Sequence, residues 1–97
     1  MLRAGQLEVR PDEFTALLDG RPLTLTVREL SLLTALVERK GRIVARDELY
    51  RVAWDEPYRS SDRSVDVYVA KLRRKLGPER RLIQTHFGFG YRLDPGA

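Results

Sequence analysis

Residues 61–76 read SDRSVDVYVAKLRRKL, and residues 83–93 read IQTHFGFGYRL. At about 100° per residue the first stretch splits into two faces. Val65, Tyr68, Val69, Leu72 and Leu76 fall on one side, which must therefore meet a core, while Arg63, Val67, Ala70, Lys71 and Arg74 fall on the other. The second stretch predicts two strands, Ile83 to His86 and Tyr91 to Leu93, joined across Phe87-Gly88-Phe89-Gly90. Its paired glycines permit the positive φ of a tight turn. A basic amphipathic helix is thus followed at once by a short hairpin.

Upstream, Gln6 to Arg10, Phe14 to Leu18 and Arg21 to Leu25 read as three strands, broken by Pro11-Asp12 and by the hairpin dipeptide Asp19-Gly20. At Thr26 the period changes. Thr26 and Glu29 match a capping box, and Leu30, Leu33, Leu36 and Val37 recur at helical spacing until Lys40-Gly41 stops them. Residues 41–44 predict a brief extended link. Ala45 to Trp54 follows as a second helix, with Asp47 and Glu48 in its first turn and Leu49, Val52 and Ala53 as its core contacts. Residues 55–61 hold Pro57 and two serines and read as a loop, in which Ser60, Ser61 or Asp62 can cap the third helix. Gly77-Pro78 ends that helix. The predicted fold is α+β, one domain over 1–97: a winged helix-turn-helix with an N-terminal antiparallel sheet (6–25), helices at 27–40, 45–54 and 63–76, and a C-terminal β-hairpin wing at 83–93.

A chain of 97 residues can bury a single core without staples. With no cysteine and a lone His86, neither a disulfide framework nor a thiolate zinc site can be built, and no metal or other cofactor is expected. No stretch looks like a signal peptide or approaches the ~20 apolar residues of a membrane span, so a cytoplasmic protein is expected. Residues 1–58 hold nine Lys/Arg against ten Asp/Glu, whereas residues 59–97 hold nine against four. That asymmetry suits a polyanionic partner, although a solvated basic surface produces the same count. Enzyme readings fail on inventory: there is no G-x-S-x-G elbow, and the wing's G-F-G lacks the strand-to-helix setting of a phosphate loop.

Three pieces, LTVRELSLLTALVERKGRIVARDELYRVAW, DRSVDVYVAKLRRKLG and IQTHFGFGYRL, together resemble the OmpR/PhoB-type winged-helix effector domain of bacterial two-component response regulators. The resemblance covers nearly the whole chain. It implies sequence-specific binding of double-stranded DNA by a transcription regulator, as a monomer alone and as a head-to-tail pair on direct repeats. RNA polymerase would be a further partner. Carried over by position, Arg63, with Ser64 beside it, would meet a phosphate, Val67 and Lys71 would face bases, and Arg73 and Arg74 would hold backbone or base. Trp54 would donate its indole N–H to a phosphate, and Thr85 would lie near the backbone at the wing's base. Two positions depart from the family: Phe87 stands where many members carry an arginine for the minor groove, and Ala70 where some carry a basic residue. Nothing in the chain resembles a receiver domain, so a receiver and its sensor kinase would belong to a longer parent protein, unless this is an unusually short regulator.

Each assignment has a plainer counterpart. Arg73 lies at the flank of the wheel and could pair with Asp66 or Asp62 instead of DNA. Trp54 could simply close an apolar helix face. Phe87 could fold back on its own domain, and Arg92 could be a phosphate contact or ordinary surface. His86 and Tyr91 read as structural. The rival function is a winged-helix protein-contact module using residues 55–61.

Overall fold

A computed structural model describes residues 1–59 and 62–96. Four short strands open the chain: β1 (Leu2–Ala4), β2 (Leu7–Arg10), β3 (Thr15–Leu18) and β4 (Arg21–Pro22), paired antiparallel in that order. The hairpin at Asp19-Gly20 forms as expected, with φ of 52° and 77° at its two residues. The predicted sheet needs two corrections. β1 lies outside the expected range, because three residues with one inward side chain carry almost no alternation. The third expected strand is shorter than expected: it ends at Pro22, with one further bond from the Leu23 N–H to the Ala16 carbonyl at 2.8 Å.

Helix α1 (Val27–Glu38) is capped as its sequence requires: Thr26 Oγ1 accepts from the Glu29 N–H, and Glu29 Oε1 accepts from the Thr26 N–H. It ends two residues before the expected Lys40. Its inward side chains Leu32, Leu33, Leu36 and Val37 are buried in one cluster with Leu7 and Val9 of β2. The expected link is partly a strand, β5 (Val44–Ala45), and α2 (Arg46–Trp54) follows immediately. Of the core contacts expected for α2, Leu49 is fully buried and Ala53 half-buried, but Val52 is exposed; Tyr50, one turn from Trp54, is buried instead.

Helix α3 (Ser64–Leu76) starts one residue later than expected. The cap position falls on Arg63, whose side chain makes no capping bond, so the expected Asp62 cap is not formed as such: Asp62 Oδ1 accepts from the Ser64 N–H at 2.7 Å from one residue further upstream, and Ser60 and Ser61, the other two candidates, lie outside the described residues. Val65, Val69, Leu72 and Leu76 are buried and Tyr68 is half-buried, in agreement with the helical wheel. Four such aliphatic side chains, each worth roughly 1.5 to 3 kcal/mol of burial, are enough to seat the helix. A 3-10 segment (Gly77–Leu82) leads to β6 (Ile83–His86) and β7 (Gly90–Leu93). β7 is the middle strand of a second sheet, flanked by β6 and β5, so the wing is tied through β5 to the start of α2. Gly90 is required by this pairing: a Cβ there would fall 1.9 Å from the Val44 carbonyl oxygen. Among the described residues no helix is long and apolar enough to cross a membrane.

Candidate nucleic-acid interface

The exposed face of α3 carries Val67, Ala70, Lys71 and Arg74, with Arg63 just before its first turn. The face is outward because the residues that alternate with it at helical spacing are consumed by the core. Val67 is 49% exposed, an aliphatic side chain kept in water amid cations. Lys71 lies with its Nζ 4.7 Å from the centroid of Tyr68, which steadies its stem without neutralising its charge. Arg63 is 85% exposed at its side chain and only 3.9 Å from Asp66, a loose pair that solvent screens. Among the described residues the cations of 59–97 that form ion pairs are Arg63, Lys75 and Arg92, and neither Lys71 nor Arg74 is one of them.

Arg73 is placed differently. Its Nε and Nη2 both donate to the Ile83 carbonyl, at 3.1 and 2.8 Å, and Nη2 also donates to Thr85 Oγ1 at 2.7 Å. Neither of the acids considered for it, Asp62 and Asp66, is its partner. The side chain clamps α3 to β6, and Thr85 is held in the same clamp. Ser64 lies half-buried in the first turn, its backbone tied to Asp62. Arg92 points away from Tyr91, bonds Gln84 Oε1 at 2.8 Å and lies 3.5 Å from Asp94.

Trp54 is half-buried at the end of α2, stacked on Tyr50 at 5.1 Å and edge-on to Tyr68 at 5.3 Å, with the Arg28 guanidinium 4.9 Å from its centroid. The cluster braces the second helix against the third. At the wing tip Phe87 is 86% exposed and Phe89 is exposed as well, so neither folds back onto the domain.

One group that the sequence pattern did not single out is Asp66. Its carboxylate accepts from Arg46 Nε at 2.7 Å and from the Tyr91 hydroxyl. Burial raises its pKa, but the hydrogen bonds from Tyr91 and Arg46 outweigh that and hold it below the ordinary aspartate value. Burial beside this carboxylate pushes the Tyr91 phenol up. The available signal was an acid on the flank of an otherwise cationic helix. Elsewhere, Glu29 is 3% exposed: burial raises its pKa, yet Lys75 Nζ at 2.6 Å and the Thr26 N–H bring it below the usual value.

The family model described as "Transcriptional regulatory protein, C terminal" matches residues 20–93. The chain is 40% identical over 93 residues to the transcriptional regulatory protein CseB of Streptomyces coelicolor, covering 96% of this chain and 39% of that protein. It is 41% identical over 96 residues to the transcriptional regulatory protein QseB of Escherichia coli O157:H7, covering 95% and 41%. It therefore spans about two fifths of the curated relatives it matches. Among solved structures, the DNA-binding domain of CpxR from E. coli superposes with a TM-score of 0.88 at 30% identity, covering 99% of this chain and 97% of that one. The Klebsiella pneumoniae RstA DNA-binding domain in complex with the RstA box superposes with a TM-score of 0.86 at 31% identity, covering 97% and 96%.

Proposed function

Because the chain belongs to the family of C-terminal domains of transcriptional regulatory proteins, of OmpR/PhoB type, we propose that it binds double-stranded DNA in a sequence-specific manner. α3 enters the major groove and the wing lies against the adjacent minor groove or backbone. The observation that carries this reading is the division of α3: its aliphatic face is buried while Val67, Ala70, Lys71 and Arg74 face outward, the two cations unpaired by acids among the described residues. A small-centred cationic helix face fits a groove about 12 Å wide, with Lys71 and Arg74 reaching base edges or phosphates and Val67 offering an apolar contact to a thymine methyl.

The remaining residues take graded roles. Arg63, extended into solvent at the helix start, meets a phosphate, and Ser64 lies beside it. Arg73 and Thr85 hold the helix to the wing, with their unshared donors directed at the backbone. Trp54 acts through its aromatic cluster, setting the height of α2 against the duplex. Phe87, standing where an arginine is usual, lays an apolar surface against the sugars of the minor groove, and Arg92 is a flanking backbone contact. The similar RstA domain is described in complex with its own DNA box, which supports the same mode here. Head-to-tail pairing on direct repeats, contact with RNA polymerase, and control by a receiver domain and sensor kinase belong to the same proposal. So does a cytoplasmic location.

Random-site selection at fixed salt tests the proposal. The expected result is one recovered half-site repeated at constant spacing, with affinity falling steeply as salt rises, by about 0.9 log units per log unit of salt for each phosphate neutralised. Weak, salt-insensitive binding with no enriched sequence would overturn it and favour the protein-contact alternative.

A further inference from the structure

Asp66 occupies the flank of α3, between its buried and outward faces. Arg46, the first residue of α2, donates to Oδ1 at 2.7 Å, and Tyr91, in the central strand of the wing sheet, donates its hydroxyl to the same oxygen. One carboxylate therefore joins three elements. The Tyr91 ring is itself flanked by two guanidiniums, Arg46 at 5.1 Å and Arg73 at 5.8 Å from the centroid. Arg73 then continues to the Ile83 carbonyl and the Thr85 hydroxyl on β6.

Apart from the loose approach of Arg63, every bond in this set runs between α3 and a neighbouring element. A carboxylate serving only helix stability would bond within its own helix or at its cap. Apolar burial is non-directional, so the aliphatic face of α3 keeps the helix docked but leaves its roll weakly specified. Charge-assisted hydrogen bonds are directional and specify it.

We infer that Asp66, acting through Tyr91 and Arg46, is a positioning residue: it holds the third helix and the wing at one separation and so decides which spacing of bases they can contact together. The inference rests on the DNA-binding reading above. It differs from the direct contacts because none of its three members needs to touch DNA.

The test uses the whole chain with Asp66→Asn and Tyr91→Phe, singly and combined. Two duplexes are compared: the one recovered by selection, and the same duplex with one base pair inserted between the helix-protected and wing-protected segments of its footprint. The wild type is expected to prefer the native spacing. Tyr91→Phe, which removes only a hydroxyl, should reduce that preference about ten-fold, and the double variant should be little worse than either single one, because the two groups act as a unit. Salt dependence and affinity for random DNA should not change. Equal weakening on both duplexes in step with a lower melting temperature would overturn the inference, as would an undiminished spacing preference in Tyr91→Phe. If Asp66→Asn does not fold, Tyr91→Phe alone decides. A wild type that binds both duplexes equally would also overturn the inference, whereas a selection that recovers no sequence at all would overturn the DNA-binding reading instead.

Discussion

Residues 1–58 and residues 59–97 contain nine cationic side chains each and use them in opposite ways. In the first half most are bound to the domain's own oxygen atoms. Arg3 and Arg10 share Glu8, Arg39 and Arg42 share Glu48, Arg51 meets Asp47, and Lys40 reaches the Arg3 carbonyl. In the second half Lys71 and Arg74 stand in no ion pair among the described residues, and Arg63 is almost wholly in solvent. Equal numbers of cations thus leave the first half mostly paired and one patch of the second half, around Lys71 and Arg74, open. A count of charge suggests a polyanionic partner, and the pairing pattern marks the side of the molecule left open to one.

The two hairpins show the same contrast in packing, and they allow the largest effect to be tested. Gly20 has open space around a would-be Cβ, whereas Gly90 is pressed against the Val44 carbonyl. Gly90→Ala should cost about 3 kcal/mol or more of unfolding free energy, through displacement of β5 from β7. Gly20→Ala, with its φ of 77° but no clash, should cost only about 1 kcal/mol in the same urea titration. Similar losses at the two sites would erase the distinction between a loosely turned sheet and a tightly seated wing.

The next effect concerns the open surface directly. Lys71→Ala or Arg74→Ala should cost about 1 to 3 kcal/mol of binding to the cognate duplex, with melting temperature unchanged. Arg39→Ala should do the reverse, lowering stability slightly and leaving DNA affinity in a shift assay as it was. Smaller still is the role of Lys75, a second-half cation that behaves like those of the first. Lys75→Met leaves the buried Glu29 with only its Thr26 partners and should cost about 1 to 2 kcal/mol of stability. No change would mean that Glu29 is satisfied by the capping box alone.

The smallest effect is acid-dependent. Hydrogen bonds from Arg42, then Arg39, hold the Glu48 carboxyl at about 2, down from 4.5. A depressed folded-state value contributes stability that is complete above about 4.5 and is lost as pH falls toward 2. Because the pair is solvent-screened, Glu48→Gln should lower stability by about 1 kcal/mol or less near neutrality. The two melting curves should converge as pH approaches the lower value, and a gap that persists there would place the stabilisation elsewhere.

Periodicity was enough to place α1 and α3 and to sort the residues of α3 into inward and outward faces. The reason is physical: long amphipathic helices repeat their signal over several turns. The three-residue β1 repeats nothing, and the two-residue β5 is defined only by its pairing with β7. Gly90 was legible as a glycine of the turn, but its need for a bare backbone comes from Val44, far away in sequence. The open cations of the candidate site were readable from the same wheel. Arg73 was not, because its partner is a backbone carbonyl that no side-chain pattern announces. The link from Asp66 to Tyr91 joins residues 25 positions apart and depends on how the wing folds back.

The strict division of α3 has a consequence for how such a domain changes over time. No side chain that seats the helix also faces outward, so Val67, Ala70, Lys71 and Arg74 can be recoded without disturbing Val65, Val69, Leu72 or Leu76. On the proposed reading, new target preferences are then reachable by single substitutions that leave the scaffold intact. That makes the helix an exchangeable cassette, provided that Asp66 and Arg73 travel with it.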